Sequence, residues 1–159
     1  MVEVELVTVR VEATSSVVLL RERSGARRLL PILIGNSEAT AIAYALERIE
    51  TPRPMTHDLI KNVLEELGVT VEQVVVTELR NRTFYAELRL RAAAGPHTVS
   101  SRPSDAIALA ARTGTPIFVE EAVLDEAAYP EEKPAADQDE MVEQFKQFID
   151  SVNPEDFAS

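Results

Sequence analysis

Ser101-Arg102-Pro103-Ser104-Asp105-Ala106-Ile107-Ala108-Leu109-Ala110-Ala111-Arg112-Thr113-Gly114-Thr115-Pro116-Ile117-Phe118-Val119 holds a complete helix and the strand that follows it. Pro103 suits a first helical position, where a missing N–H costs nothing. Asp105 falls in the first turn, where a carboxylate meets the positive end of the helix dipole. Ala106 to Ala111 is a run of mostly small residues with high helical propensity. Gly114 is a left-handed stop, and Pro116 prevents the helix from restarting. Ile117, Phe118 and Val119 then read as a short buried strand. Ser101, Arg102, Ser104 and Asp105 are thus gathered at one helix mouth and form one wall of any site. The plainer alternative is that Asp105 only complements the dipole and Arg102 only pairs with it.

Outward from this stretch, strands cluster and helices interrupt them. Val2 to Glu12 alternates, but its phase changes: Val2, Val4 and Leu6 share one parity, and Val7, Val9 and Val11 the other. One inserted residue flips a strand's faces, so a bulge near Leu6-Val7 is predicted. Val17 to Arg23 and Arg27 to Ile34 are further strands, with Pro31 pointing to a bulge or a sheet edge. A helix follows Gly35, with Asn36 expected as its cap and Ala39, Ile42, Ala43, Leu46 and Ile49 as its apolar stripe. Thr56 is the expected cap of the next helix, and Leu59, Ile60, Val63, Leu64 and Leu67 its expected core face. Val69 to Leu79 and Thr83 to Arg91 make a hairpin around Arg80-Asn81-Arg82. The fold class is therefore α+β, a mainly antiparallel or mixed sheet with helices packed against it.

The chain has 159 residues and a net charge of −11. That charge is unevenly placed: residues 1–119 carry 14 basic and 14 acidic side chains, whereas residues 120–159 carry two and 13. The body is neutral and its cations are almost all arginine, the better fork for phosphate or carboxylate. No cysteine is present, which excludes disulfides and thiolate metal sites. No segment has the roughly 18 apolar residues of a membrane span, and the N-terminus lacks a signal-peptide pattern. A cytoplasmic protein without membrane contact is expected. Residues 1–128 read as one domain, 129–139 as an acidic flexible linker, and 140–159 as a short amphipathic helix and acidic tail. Met141, Phe145, Phe148, Ile149 and Val152 recur at helical spacing, so this helix must dock on something. Its acidic surroundings either compete with a polyanion for Arg53, Arg89, Arg91 or Arg102, or the helix binds elsewhere, on the body or on a protein partner.

Several blocks occur in a telling order: Leu30-Pro31-Ile32-Leu33-Ile34-Gly35 with Glu38-Ala39, Pro52-Arg53-Pro54-Met55-Thr56-His57-Asp58-Leu59, Thr83-Phe84-Tyr85-Ala86, Ser101-Arg102-Pro103-Ser104-Asp105-Ala106, and Pro116-Ile117-Phe118-Val119. Together they resemble the bifunctional nuclease domain family over about residues 1–128, and the tail resembles its actinobacterial members. The resemblance implies an α+β domain, a homo-oligomer, and a nuclease acting on both RNA and DNA, the activity assigned to plant members. In one place the chain departs from the family: Arg80-Asn81-Arg82 stands where members often have Asp-Gly.

Phosphodiester hydrolysis needs an activated nucleophile, charge stabilisation on phosphate and protonation of the leaving oxygen. The candidates sit at three helix starts. His57, Asp58 and Asp105 are the expected catalytic groups, with His57 as acid or base. Arg53, Arg102 and Ser104 are the expected phosphate ligands. Glu38, Asp58 and Asp105 are the carboxylates that would hold Mg²⁺ or another divalent cation. Acidic residues in first turns are common, and adjacent helical residues point about 100° apart, so His57 and Asp58 need not act on one atom. No Walker loop, dinucleotide fingerprint, HExxH or nucleophile elbow is present. The competing reading is a non-catalytic oligomeric binding or regulatory module in which the polar cluster merely joins helix ends.

Overall fold

A computed structural model describes residues 1–131 and 138–150. Seven strands form one sheet: β1 (Val2–Arg10), β2 (Ser16–Glu22), β3 (Leu29–Ile34), β4 (Thr70–Arg80), β5 (Thr83–Ala92), β6 (Gly95–Ser101) and β7 (Ile117–Val119). Their spatial order is β3-β2-β1-β7-β4-β5-β6. Two antiparallel meanders, β1-β2-β3 and β4-β5-β6, therefore flank β7. That strand pairs antiparallel with β1 through Val2↔Val119 and Val4↔Ile117, and parallel with β4 through Val74↔Ile117 and Val76↔Val119. Three apolar residues thus join the halves of a curled, mixed sheet, and the α+β class holds. The register of β1 against β2 shifts between Leu6 and Thr8, which is the bulge that the change of phase requires. Pro31 lies on β3, an edge strand, where its missing donor costs no ladder bond.

The helices are α1 (Asn36–Leu46), α2 (Thr56–Glu66), α3 (Pro103–Thr113), α4 (Glu121–Ala127) and α5 (Gln138–Asp150). Ala106, Ile107, Ala108, Leu109 and Ala110 of α3 are all buried. Their small size lets α1 and α2 pack on α3 while α3 lies on the sheet. Gly114 ends α3 with φ 68°, the left-handed stop expected there. Val18 and Leu20 of β2 face this core, while Leu19 faces a second cluster with Leu29 and Phe145. Successive strand residues point to opposite faces, so α5 covers the sheet face opposite α3. Tyr129 joins this patch, with its ring 5.7 Å from Phe145 and 6.0 Å from Phe148. The helix expected to need a dock finds one on the body. Residues 132–137 and 151–159, including Val152, lie outside the described residues. Tyr129 and Glu131, which the sequence assigns to the linker, contact the body: Tyr129 bridges Leu29, and Glu131 pairs with Arg21 at 3.2 Å.

Three local expectations are corrected. Gly35, not Asn36, is the N-cap of α1. The Asn36 side chain instead accepts a hydrogen bond from Ser16 Oγ at 2.6 Å and donates to the Ala13 carbonyl at 3.1 Å. Met55, not Thr56, is the N-cap of α2, and the Asp58 carboxylate accepts its backbone N–H at 3.0 Å. The expected core face of α2 is largely outward. Leu59, Ile60, Val63 and Leu67 are exposed, while His57 is buried and Leu64 packs on the core. Periodicity fixes a stripe but not the side it faces, and here polar contacts to α3 orient the helix.

Candidate active site

The mouths of α1 and α3 open side by side. Arg102 is the N-cap of α3, with Pro103 just inside the helix and Asp105 in its first turn. Gly35 is the N-cap of α1, and Glu38 folds back over it so closely that any side chain at position 35 would collide with the carboxylate. The start of α2 reaches over α3 and delivers His57. Four side chains from three helix starts therefore meet, each within the first turn or at the cap.

Asp105 is the hub. His57 Nε2 lies 2.9 Å from Asp105 Oδ1. Arg102 donates from Nε to Asp105 Oδ2 at 2.8 Å and from Nη2 to Oδ1 at 3.2 Å, and from Nη1 to Glu38 Oε1 at 3.1 Å. The arginine fork thus holds one carboxylate with two donors and a second with one. Exposure grades outward: His57 is 7% exposed, whereas the side chains of Asp105 and Arg102 are 34% and 64% exposed. Burial pushes the Asp105 carboxyl up, but the hydrogen bonds from Arg102 and His57 outweigh it and hold the group below the usual carboxylate range. Asp105 is then ionised at neutral pH, so His57 Nε2 carries the proton and donates to it.

A cleft of about 400 Å³ adjoins the cluster. Ile34, Gly35, Glu38, Phe84, Arg102 and Ser104 are among its lining residues, as is Arg82 from the β4–β5 turn. Ser104 is 5% exposed, so of the expected phosphate ligands Arg102 is the reachable one at this mouth.

Two candidates fall elsewhere. Asp58, the neighbour of His57, turns away as helix geometry requires and accepts Arg112 Nε at 2.7 Å. Its carboxyl is pushed up by burial and more strongly down by Arg112 and the Met55 N–H, for a net lowering. Arg53 is exposed on the loop before α2, and no hydrogen bond or ion pair ties its side chain to the cluster. The set Glu38, Asp58 and Asp105 is not gathered as a cation site. Asp58 is committed to Arg112, and the Arg102 guanidinium lies between the other two carboxylates. Among the described residues no three His, Cys, Asp or Glu side chains are grouped so as to hold a metal ion.

The sequence reading passed over Arg82 and Arg112. Arg112 lies seven residues after Asp105, two turns along one face of α3, and it also donates to the Ala41 and Ala108 carbonyls at 3.0 and 2.9 Å. Its place in the last turn reads as a dipole cation, which hid this role. For Arg82 the available signal was a bulky residue at the second position of a two-residue turn.

A model of the bifunctional nuclease domain matches residues 18–132. A protein of Mycobacterium tuberculosis, itself uncharacterized, is 46% identical over 165 residues, covering 99% of this chain and 98% of that protein. Bifunctional nuclease 1 of Oryza sativa subsp. japonica is 31% identical over 113 residues, 69% of this chain and 34% of the rice protein. Bifunctional nuclease 2 of Arabidopsis thaliana is 28% identical over 136 residues, 79% of this chain and 41% of the plant protein. Among the described residues no helix is long and apolar enough to cross a membrane.

Proposed function

The chain belongs to the bifunctional nuclease domain family, and from that premise we propose that it hydrolyses phosphodiester bonds of RNA and DNA at the Glu38–Arg102–Asp105–His57 cluster. The observation that carries this reading is the half-exposed Asp105 carboxylate held between an outward arginine and a buried histidine. Arg102 is the phosphate ligand. A phosphate drawn onto its guanidinium competes with Asp105 for the same donors. As those hydrogen bonds weaken, Asp105 loses the main influence holding its carboxyl down, and its affinity for a proton rises. It then accepts a proton from the attacking water, with His57 behind it fixing its orientation. Substrate binding itself thus makes the base. Water rather than a 2′-hydroxyl suits a range that includes DNA. Glu38, on the other side of Arg102, accepts from its Nη1 and steadies the guanidinium toward the cleft, and the proton that Asp105 takes from the water passes through solvent to the leaving oxygen.

As arranged, these residues do not fit a divalent cation, because a guanidinium fills the gap between the carboxylates; no step here is routed through one. The test is degradation of labelled RNA and single-stranded DNA by protein freed of contaminating nucleases, run with Mg²⁺ and with chelator. Cleavage by the wild type and its loss in Arg102→Gln are the expected outcome. Equal cleavage by both would remove Arg102 from the mechanism.

A second reading, an oligomeric binding module, draws on the outer face of α2. Met55, Leu59, Ile60, Val63 and Leu67 are between 37% and 71% exposed. Five exposed apolar side chains on one short helix and its cap make the kind of grouped patch that marks an interface. A second copy is the proposed occupant: a face centred on Val63, free of charge at its middle, can meet itself across a two-fold axis. Sedimentation equilibrium should give a dimer or larger assembly at tens of micromolar, and Val63→Glu a monomer with unchanged circular dichroism. A wild-type monomer would sink this part. The two readings are compatible, since the face lies outside the cleft.

A further inference from the structure

We infer that Arg82 is a second phosphate anchor of the cleft, so that Arg82 and Arg102 together grip the backbone of one single strand. The inference builds on the nucleic-acid reading of the cleft but not on cleavage. It starts from the backbone. The β4–β5 hairpin turns on Asn81 and Arg82, whose φ angles are 52° and 63°. Two-residue hairpins of the favoured type need positive φ at both positions, and glycine meets that need at the second without steric cost. Asparagine tolerates the left-handed region through its short polar side chain, whereas a long side chain there is strained. Arg27 and Arg48 share the conformation at φ 53° and 54°, but Arg82 carries it at the edge of a cleft, and strain of this kind clusters at binding sites.

The placement says what it does. Arg82 lines the same cleft as Arg102, Glu38 and the start of α1. Its neighbour Arg80 is turned aside, stacked 4.6 Å over the Tyr85 ring. The mouths of α1 and α3 also face the cleft, and neither has a side-chain cap hydrogen bond. Their first-turn N–H groups add positive potential to that of the two guanidiniums. Two carboxylates oppose them, Glu38 from the lining and Asp105 behind Arg102, and a phosphate competes with both for the Arg102 donors. Ile34 and Phe84 supply an apolar wall against which a base or sugar can rest. A space of about 400 Å³ admits a nucleotide unit.

Arg82→Gly is the decisive variant, because it removes the charge while relieving the turn. Binding of a short fluorescent oligothymidylate to the full chain is measured by anisotropy in chelator, over a range of salt. The expected result is a roughly 10-fold loss of affinity at low salt. The slope of log K against log salt should fall by about 0.7, the value for one phosphate contact on a single strand. Arg82→Lys should keep most of both, a duplex of equal length should bind more weakly than the single strand, and the melting temperature of Arg82→Gly should not fall. Unchanged affinity and slope in Arg82→Gly overturn the proposal, as does a wild type that does not bind the oligomer. A wild type that binds but never cleaves, with Arg82→Gly weakened, overturns the nuclease reading and leaves this one standing.

Discussion

Replacing Asp105 with asparagine is expected to lower nuclease turnover at least ~10²-fold, the scale of a lost general acid or base, with a smaller change in affinity for the substrate. The reason lies in the hub. Asp105 accepts one hydrogen bond from His57 and two from Arg102. Asparagine keeps the shape, yet it can neither take up a proton nor carry the charge that three donors are arranged around. His57→Gln should fall as far in turnover if the histidine holds the carboxylate in its working orientation. Its binding of an oligonucleotide should match the wild type, since Arg102 remains. Stability carries an independent signature. The folded Asp105 carboxyl lies below its ordinary value, so its contribution is present in full above an unfolded value of about 3.9 and is lost as pH falls through the lower folded one. Urea unfolding should therefore show Asp105→Asn less stable than the wild type by a constant amount at and above about pH 5, with the gap closing toward pH 3. A gap that persisted undiminished in acid would mean that the variant acts by disturbing packing, and the charge argument would fail.

How much of this could be read in advance depends on the range of the forces involved. The bulge in β1 was legible because the change of parity between Leu6 and Val7 is written in consecutive residues. The stop at Gly114 and the strand Ile117 to Val119 were legible for the same reason. That this strand would lie between β1 and β4 was not, since its partners are more than 40 residues away on one side and more than 110 on the other. The site divides along the same line. Arg102 and Asp105 are three residues apart on one helix start and meet as that spacing requires. His57 reaches Asp105 across 48 residues, a meeting suggested only by the shared character of the helix starts. Asp58 followed the geometric warning that neighbours on a helix diverge. The stripe of α2 points away from the core, because Leu59, Val63 and Leu67 look the same in sequence whether they face the core or the surface. The signal at Arg82, a bulky residue at the second position of the turn, takes its meaning from the φ of 63° that the fold imposes there.

Arg112→Ala is expected to destabilise the fold by about 2–3 kcal/mol, the cost of leaving a partly exposed carboxylate without its donor together with the lost packing of a buried side chain. This arginine is 8% exposed and joins three helices from the middle of their contact. Its fork reaches Asp58 on α2, the Ala41 carbonyl on α1 and the Ala108 carbonyl on its own helix. Ala41 and Ala108 both lie inside helices and keep helical partners of their own, so the exposed cost falls mainly on Asp58. Asp58 is 37% exposed and can recover some water, which places the loss below the ~3–5 kcal/mol of a fully buried broken pair. At about 2–4 °C per kcal/mol for a chain of this size, the melting temperature should drop by roughly 8 °C. Lysine at this position can serve one acceptor but not a planar set of three, so Arg112→Lys should fall between alanine and the wild type. A functional consequence follows from where the helix is held. With its outer face turned away from the core, α2 is fixed by His57–Asp105, Arg112–Asp58 and the packing of Leu64. Removing the second of these frees the helix that presents His57. Turnover should then fall at temperatures where the variant is still folded, while Arg102 and its affinity for phosphate are untouched. A melting temperature within about 1 °C of the wild type would show that α2 is anchored by something other than this fork.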